Sequence, residues 1–190
     1  MKCAPHRVIR LKHMVDLAAG KGLFPLGLLL AALLCGCHTE YDYAWSEYEI
    51  APERIAVSAL PDGTAVALIN DQDDIERQRL GGDWYASLRE LTSAVITHLS
   101  RELDKRGATV DTGAEKVLRI AVQQQEFETG MWLVSTRMKV RVETGSGYVA
   151  TFAITHRTAK ADVAHGYNGA VALAVINLLN EPSIAEYLGP

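Results

Sequence analysis

Apolar and polar positions divide this chain into a leader dominated by one uncharged run and a body with regular periodicity. In the body, Tyr41, Tyr43 and Trp45 alternate with Asp42 and Ala44, and Tyr48 follows. Period two predicts an extended segment with one aromatic face. Glu40, Asp42, Glu47 and Glu49 are interleaved with these rings, which favours docking on the domain over residence in a membrane interface. Arg54 to Leu60 reads as a strand, Pro61-Asp62-Gly63 as a turn and Thr64 to Ile69 as a second strand, so a hairpin is expected. Asn70 to Gly82 has loop composition. Its acids Asp71, Asp73, Asp74 and Glu76 lack the turn glycine and late glutamate of a calcium-binding EF-hand, and a solvated loop is the expectation.

Trp84, Leu88, Leu91, Val95, Leu99 and Leu103 recur at helical spacing and predict an amphipathic helix from Asp83 to Arg106. Asp83 would cap its start, and Lys105-Arg106-Gly107 its end. His98, between Thr97 and Ser100, is placed on or near the polar side. Three strands are expected next, Val117 to Gln125, Leu133 to Glu143 and Tyr148 to His156, each with one apolar face. The short connections Glu128-Thr129-Gly130 and Thr144-Gly145-Ser146-Gly147 make them an antiparallel meander. A second helix is expected from about Asn168 to Asn180, after a bend at His165-Gly166-Tyr167-Asn168-Gly169. Pro182 ends it, and Ser183-Ile184-Ala185-Glu186 reads as the capping box of a short final helix. The order β-β-α-β-β-β-α plus a short C-terminal α implies an α+β fold: a mostly antiparallel sheet with two main helices packed on one face.

The leader changes the picture. Leu23 to Leu34 carries no charge, and upstream stand Lys2, Arg7, Arg10, Lys12 and Lys21 against the single acid Asp16. The run is too short for a spanning helix of about 20 residues but suits a signal-peptide core of about 7–15. Leu34-Cys35-Gly36-Cys37 resembles the bacterial lipobox, and Gly36, the small residue, selects Cys37 over Cys35 as the processing site. Cleavage between Gly36 and Cys37 would leave a diacylglycerol-modified and N-acylated Cys37 as the first residue. The organisation expected is a lipoprotein signal peptide over 1–36, a lipidated tether over 37–50 that ends by docking, and a single α+β domain over 51–190. Initiation at Met1 or at Met14 is open. His38 follows the lipidated position where an Asp would favour inner-membrane retention, so resemblance to known lipoproteins points to the outer membrane, facing the periplasm, or to the cell membrane outside Gram-negative organisms.

Cys3, Cys35 and Cys37 are the only cysteines, so a chain cleaved at Cys37 has no disulfide, cysteine nucleophile or cysteine-based zinc site. Removing residues 1–37 leaves 14 Lys and Arg against 22 Asp and Glu, a net charge of about −8. That balance argues against nucleic acid. The one concentrated cationic row is Arg137, Lys139 and Arg141, with Arg119 beside it, all expected outward. These residues are candidates for contact with a partner or a lipid headgroup, or simply the solvated face of the sheet. No Gly-x-Ser-x-Gly, His-Glu-x-x-His or phosphate-loop pattern is present, and His38, His98, His156 and His165 show no telling spacing to a Ser or carboxylate. No catalytic residue, metal site or cofactor is expected beyond the acyl groups on Cys37.

From about Gly81 to Leu188 the layout resembles the YajG-type family of small Gram-negative lipoproteins. The residues that carry the resemblance are the helix end from Leu99 to Gly107, the strand Leu118-Arg119-Ile120-Ala121-Val122 and the tail from Leu178 to Leu188. A looser similarity links it to auxiliary lipoproteins of ABC-type transport systems. Membership would imply an outer-membrane lipoprotein without assigned activity. The expected function is a lipid-anchored, non-enzymatic domain presented to an envelope partner. The alternative is a periplasmic module that binds a small amphiphile between helix and sheet, with the cationic row or the His165–Asn168 bend near its mouth.

Overall fold

The computed structural model describes residues 40–46, 48–57, 59–159 and 163–189. The expected signal peptide, Cys37 and His38 lie outside them. Among the described residues no helix is long and apolar enough to cross a membrane.

The fold is α+β, with three α-helices and two sheets among the described residues. Strands β1 (Tyr41–Asp42), β3 (Gln78–Gly81) and β4 (Trp84–Ala86) form a small sheet in the order β1-β4-β3. The main sheet holds β2 (Ala65–Asn70), β5 (Thr109–Val110), β6 (Lys116–Thr129), β7 (Leu133–Thr144) and β8 (Val149–Ala159) in the order β5-β2-β6-β7-β8. Helices α1 (Leu88–Asp104) and α2 (Val163–Asn180) pack on one face of it, and α3 (Pro182–Leu188) folds back against α2.

The meander β6-β7-β8 is antiparallel throughout, as its periodicity predicts. Along β7 the even positions Val134, Thr136, Met138, Val140 and Val142 are buried and the odd ones face out. In β6 the same parity holds from Leu118 to Val122, then a bulge between Val122 and Gln124 reverses it, so that Gln125 and Phe127 stand opposite Met138 and Thr136. An extra residue inserted into one strand does this by displacing the side-chain alternation by one. The bulge carries β6 four residues past the expected end at Gln125.

The first expected strand is absent. Pro52–Arg54 is a 3₁₀ turn, and the backbone of Arg54 and Ala56 bonds to the Asn180 side chain at the end of α2 (2.8 and 2.6 Å). The hairpin partner was unavailable in any case, because β2 pairs in parallel with β5 on one side and β6 on the other. The expected loop 70–82 contains β3, which pairs with β4, the segment read as the first turn of the long helix. Trp84 satisfies the helical spacing, yet its ring stacks on Tyr41 at 5.4 Å, and sheet pairing overrides the local pattern. Helix α1 starts instead after Ser87, in a reciprocal capping box: Ser87 Oγ accepts from Glu90 N–H at 3.2 Å, and Glu90 Oε2 accepts from Ser87 N–H at 2.7 Å. The final helix has no such box; Glu181 precedes it without a side-chain cap, and Pro182 opens it.

The sequence His165-Gly166-Tyr167-Asn168-Gly169 is not a bend but helix, within the first turns of α2. Its glycines serve close approach. A Cβ on Gly166 would meet Thr136 Oγ1 at 2.8 Å, and one on Gly169 would collide with the His156 imidazole. Between helices and sheet, Leu91, Val95 and Leu99 from α1 and Ala170, Val171, Val175 and Leu179 from α2 close on Leu118, Ile120, Val122, Val140 and Val142, all essentially without solvent contact.

Candidate functional site on the outer sheet face

Cys37 and Gly36, the expected lipidation and cleavage site, lie outside the described residues. The chain that follows them is docked. Tyr41 and Asp42 pair in parallel with Trp84 and Tyr85. Tyr43 donates its hydroxyl to Asn168 Oδ1 at 2.7 Å, and Asn168 Nδ2 donates to Ser46 Oγ at 2.6 Å. Burial pushes the Tyr43 phenol well above its ordinary range; Tyr167 beside it shifts the same way, by burial and then by Tyr43. The Trp45 ring lies 5.4 Å from His98 and under the Arg101 guanidinium at 4.5 Å. The period-two aromatic face thus packs on the body as a strap across α1 and α2.

That strap covers a polar cluster that includes His98, which sequence patterning placed on or near the polar side of the helix. His98 and Glu102 are each 2% exposed. Glu102 accepts from Arg106 at 2.7 Å and from Lys105 at 2.9 Å. Burial works against its charged form, but these two cations outweigh it and hold the carboxyl below its usual range. His98 is inside because the strap closes over this side of the helix, a tertiary event with no trace in helical spacing. A second histidine, His156, lies under α2 with His165 and Tyr48 nearby. Burial, then His165, then Arg54 lower its pKa. Among the described residues no group of three or more His, Cys, Asp or Glu could hold a metal.

The cationic row lies on the outer face of the main sheet, opposite the helices, and each member is differently occupied. Arg137 pairs with Glu128 at 2.6 Å and Glu126 at 3.5 Å. Arg141 pairs with Glu143 and with Asp71 at 3.4 Å. Lys139 sits opposite Gln124 on one neighbour and Ala153 on the other. It borders a depression of about 180 Å³, also lined by Gln124, Glu126, Arg137 and Thr155. Carboxylates are therefore interleaved with the cations, and exposed pairs of this kind contribute about 0–1 kcal/mol each. On this face the row is remote from any mouth between helix and sheet. Further depressions of about 310–350 Å³ are lined by loop and helix-end residues, not by the helix–sheet interior.

Sequence reading passed over one feature. The β6–β7 turn is closed by Gly130 N–H donating to the Leu133 carbonyl at 2.8 Å, and its tip holds Met131 and Trp132, each 79% exposed, beside Leu133 at 51%. The signal was present: a bulky apolar pair where turn chemistry calls for Gly, Asn or Asp.

The class that fold and surface define is a small α+β domain with a solvated outer sheet face. No protein-family model and no curated protein matches the chain. Solved structures similar to it include a Xanthomonas campestris protein assigned to DUF330 (TM-score 0.46, 14% identity, 75% of this chain and 93% of that one). A neuraminyllactose-binding hemagglutinin homologue from Helicobacter pylori gives a TM-score of 0.41 at 15% identity, over 74% and 96%. A lipoprotein from Neisseria meningitidis gives 0.34 at 14%, over 66% and 99%. At these scores the similarities carry nothing about the site, and the YajG-type resemblance rests on the residues quoted for it.

Proposed function

We propose that the chain is a bacterial envelope lipoprotein: cleaved between Gly36 and Cys37, acylated on Cys37, held in the outer membrane, and presenting a non-enzymatic periplasmic domain to an envelope protein partner. One observation carries the reading. The lipobox-like Leu34-Cys35-Gly36-Cys37 ends three residues before Glu40, where the compact body begins, so the expected processing site falls ahead of that body. Cys37 is followed by no further cysteine, which suits a domain stabilised by packing alone. The YajG-type resemblance points the same way. For the partner surface, the outer face around Lys139 is the candidate, because Arg137 and Arg141 already have carboxylate partners and Lys139 borders the depression. An amphiphile between helix and sheet finds no support in a packed interior.

Mass spectrometry of the protein extracted from its own membranes is the test. The expected product starts at Cys37 with a diacylglyceryl and an N-acyl group, and Cys37→Ser abolishes both processing and membrane fractionation. An unmodified terminus, or an intact leader, refutes the anchor. Crosslinking from Lys139 in the envelope is expected to capture one reproducible protein, and Lys139→Glu to lose it.

A further inference from the structure

The tip of the β6–β7 hairpin and the start of the described chain lie at the same end of the domain. Phe127, near the end of β6, packs against the Gly81 backbone, and Gln125 bonds to the Arg79 carbonyl at 3.4 Å. Strand β3 therefore runs alongside β6, both toward the hairpin tip. Strand β4 returns antiparallel to β3, and β1 runs parallel to β4 with Tyr41 N–H bonded to the Asp83 carbonyl at 2.8 Å. Followed backwards, β1 leads from Asp42 to Tyr41 to Glu40 in the direction of the tip. Cys37 is three residues further on, a reach of about 11 Å at full extension.

From Thr129 to Thr136 the hairpin end carries no charge, and it exposes Met131, Trp132 and Leu133. Of the charges near it, Arg77 pairs with Glu40 and Asp42, Arg79 with Asp83 and Arg137 with Glu128, and exposed Arg157 of β8 stands opposite Ser135. Three side chains are far too few for a stable protein interface, which buries about 800 Å² per partner. They suffice to enter the headgroup region of a bilayer, where tryptophan is favoured.

We propose that Met131, Trp132 and Leu133 form a second membrane contact beside the acylated terminus. The proposal rests on the lipoprotein reading above. Acyl chains already retain the protein, so the tip fixes orientation: it holds the hairpin end against the bilayer and directs the opposite end of the domain into the periplasm. Because the tip is uncharged, anionic lipid is not required.

The test uses lipidated full-length protein reconstituted in phosphatidylcholine vesicles, with and without lipid brominated near the headgroup end of the acyl chain. Wild type is compared with Trp132→Phe, whose exposed position leaves melting unchanged. Expected is bromolipid quenching of wild-type emission that Trp132→Phe largely loses, together with shielding of Trp132 from aqueous iodide, unaltered by adding phosphatidylglycerol. Flotation is read on the same samples. Protein that floats while Trp132 stays open to iodide and unquenched overturns the tip contact and leaves the anchor standing. Protein that does not float overturns both. A concentration-dependent shift of Trp132 emission without vesicles assigns the tip to a second copy and overturns the membrane contact.

Discussion

Gly166 and Gly169 set the spacing between α2 and the sheet, and the groups they admit, Thr136 and His156, are polar ones beneath the helix. Gly169→Ala drives a methyl into the His156 ring and is expected to destabilise the fold by about 1–3 kcal/mol in chemical denaturation. Asn168 is buried and ties Tyr43 and Ser46 to α2. Asn168→Ala leaves those groups unpaired at a cost of about 1–3 kcal/mol, and limited proteolysis should then cut within the strap while the meander stays intact. Acidification acts on the same region. His156 is held below its ordinary range by burial, His165 and Arg54, so the unfolded chain takes a proton that the folded chain refuses. Its contribution is complete above the ordinary imidazole pKa of about 6.5 and is lost as pH falls below it. Glu102, depressed by Lys105 and Arg106 against its burial, adds a second loss below the carboxylate range. Melting temperatures recorded from about pH 8 to about pH 2 should fall in two steps, with His156→Gln flattening the first. Of these residues only the aromatic strap was legible beforehand. His98 and Glu102 satisfy every criterion for an exposed helix face, and only the covering strap, over 40 residues upstream, decides otherwise.

Elements with a strong local period were read correctly, and those whose partner is distant were not. The meander β6-β7-β8 and the body of α1 follow from alternation and helical spacing alone. Strands β3 and β4 are too short to show a period, and Trp84 fits a helix as well as a strand until Tyr41 is placed beside it. The hairpin expected around Pro61-Asp62-Gly63 failed because turn chemistry cannot reveal that both edges of β2 are taken by parallel neighbours. The bulge at Gln123 is silent in a run of three glutamines, yet it decides which face Phe127 occupies. Deleting Gln123 should remove the extra residue and leave uninterrupted alternation, with Phe127 still opposite Thr136 and stacked on Tyr167. Circular dichroism is expected to show that cooperative melting persists, because the tip and the base of β6 then both keep their faces; deleting Gln124 together with Gln123 would instead slip the register by one. At the start of α1, Ser87→Ala removes one arm of the capping box and should cost about 1 kcal/mol in thermal or denaturant unfolding, with unchanged secondary structure.

For the molecule as a whole, the acidic balance after residue 37 and the absence of cysteines there were legible from composition, and they are properties of the surface and of the chemistry available, not of the fold. The cationic row shows the limit of such counting: sequence exposes three cations in alternation, while the fold supplies Glu126, Glu128, Glu143 and Asp71 to two of them. Lys139→Glu is accordingly expected to leave stability within about 0.5 kcal/mol, with any lost capture read as a surface effect. The strap has a temporal consequence. Tyr43 finds Asn168 across 125 positions, and Ala56 finds Asn180 across 124, so these ties can close only after α2 has followed the strap out of the ribosome. Until α2 has been synthesised, Tyr43, Ser46 and Ala56 lack their hydrogen-bond partners, although Tyr41 and Trp45 can already meet β4 and α1. Contacts of such long range slow folding, and a nascent chain of this design stays open to proteases and chaperones at its front end until its rear arrives.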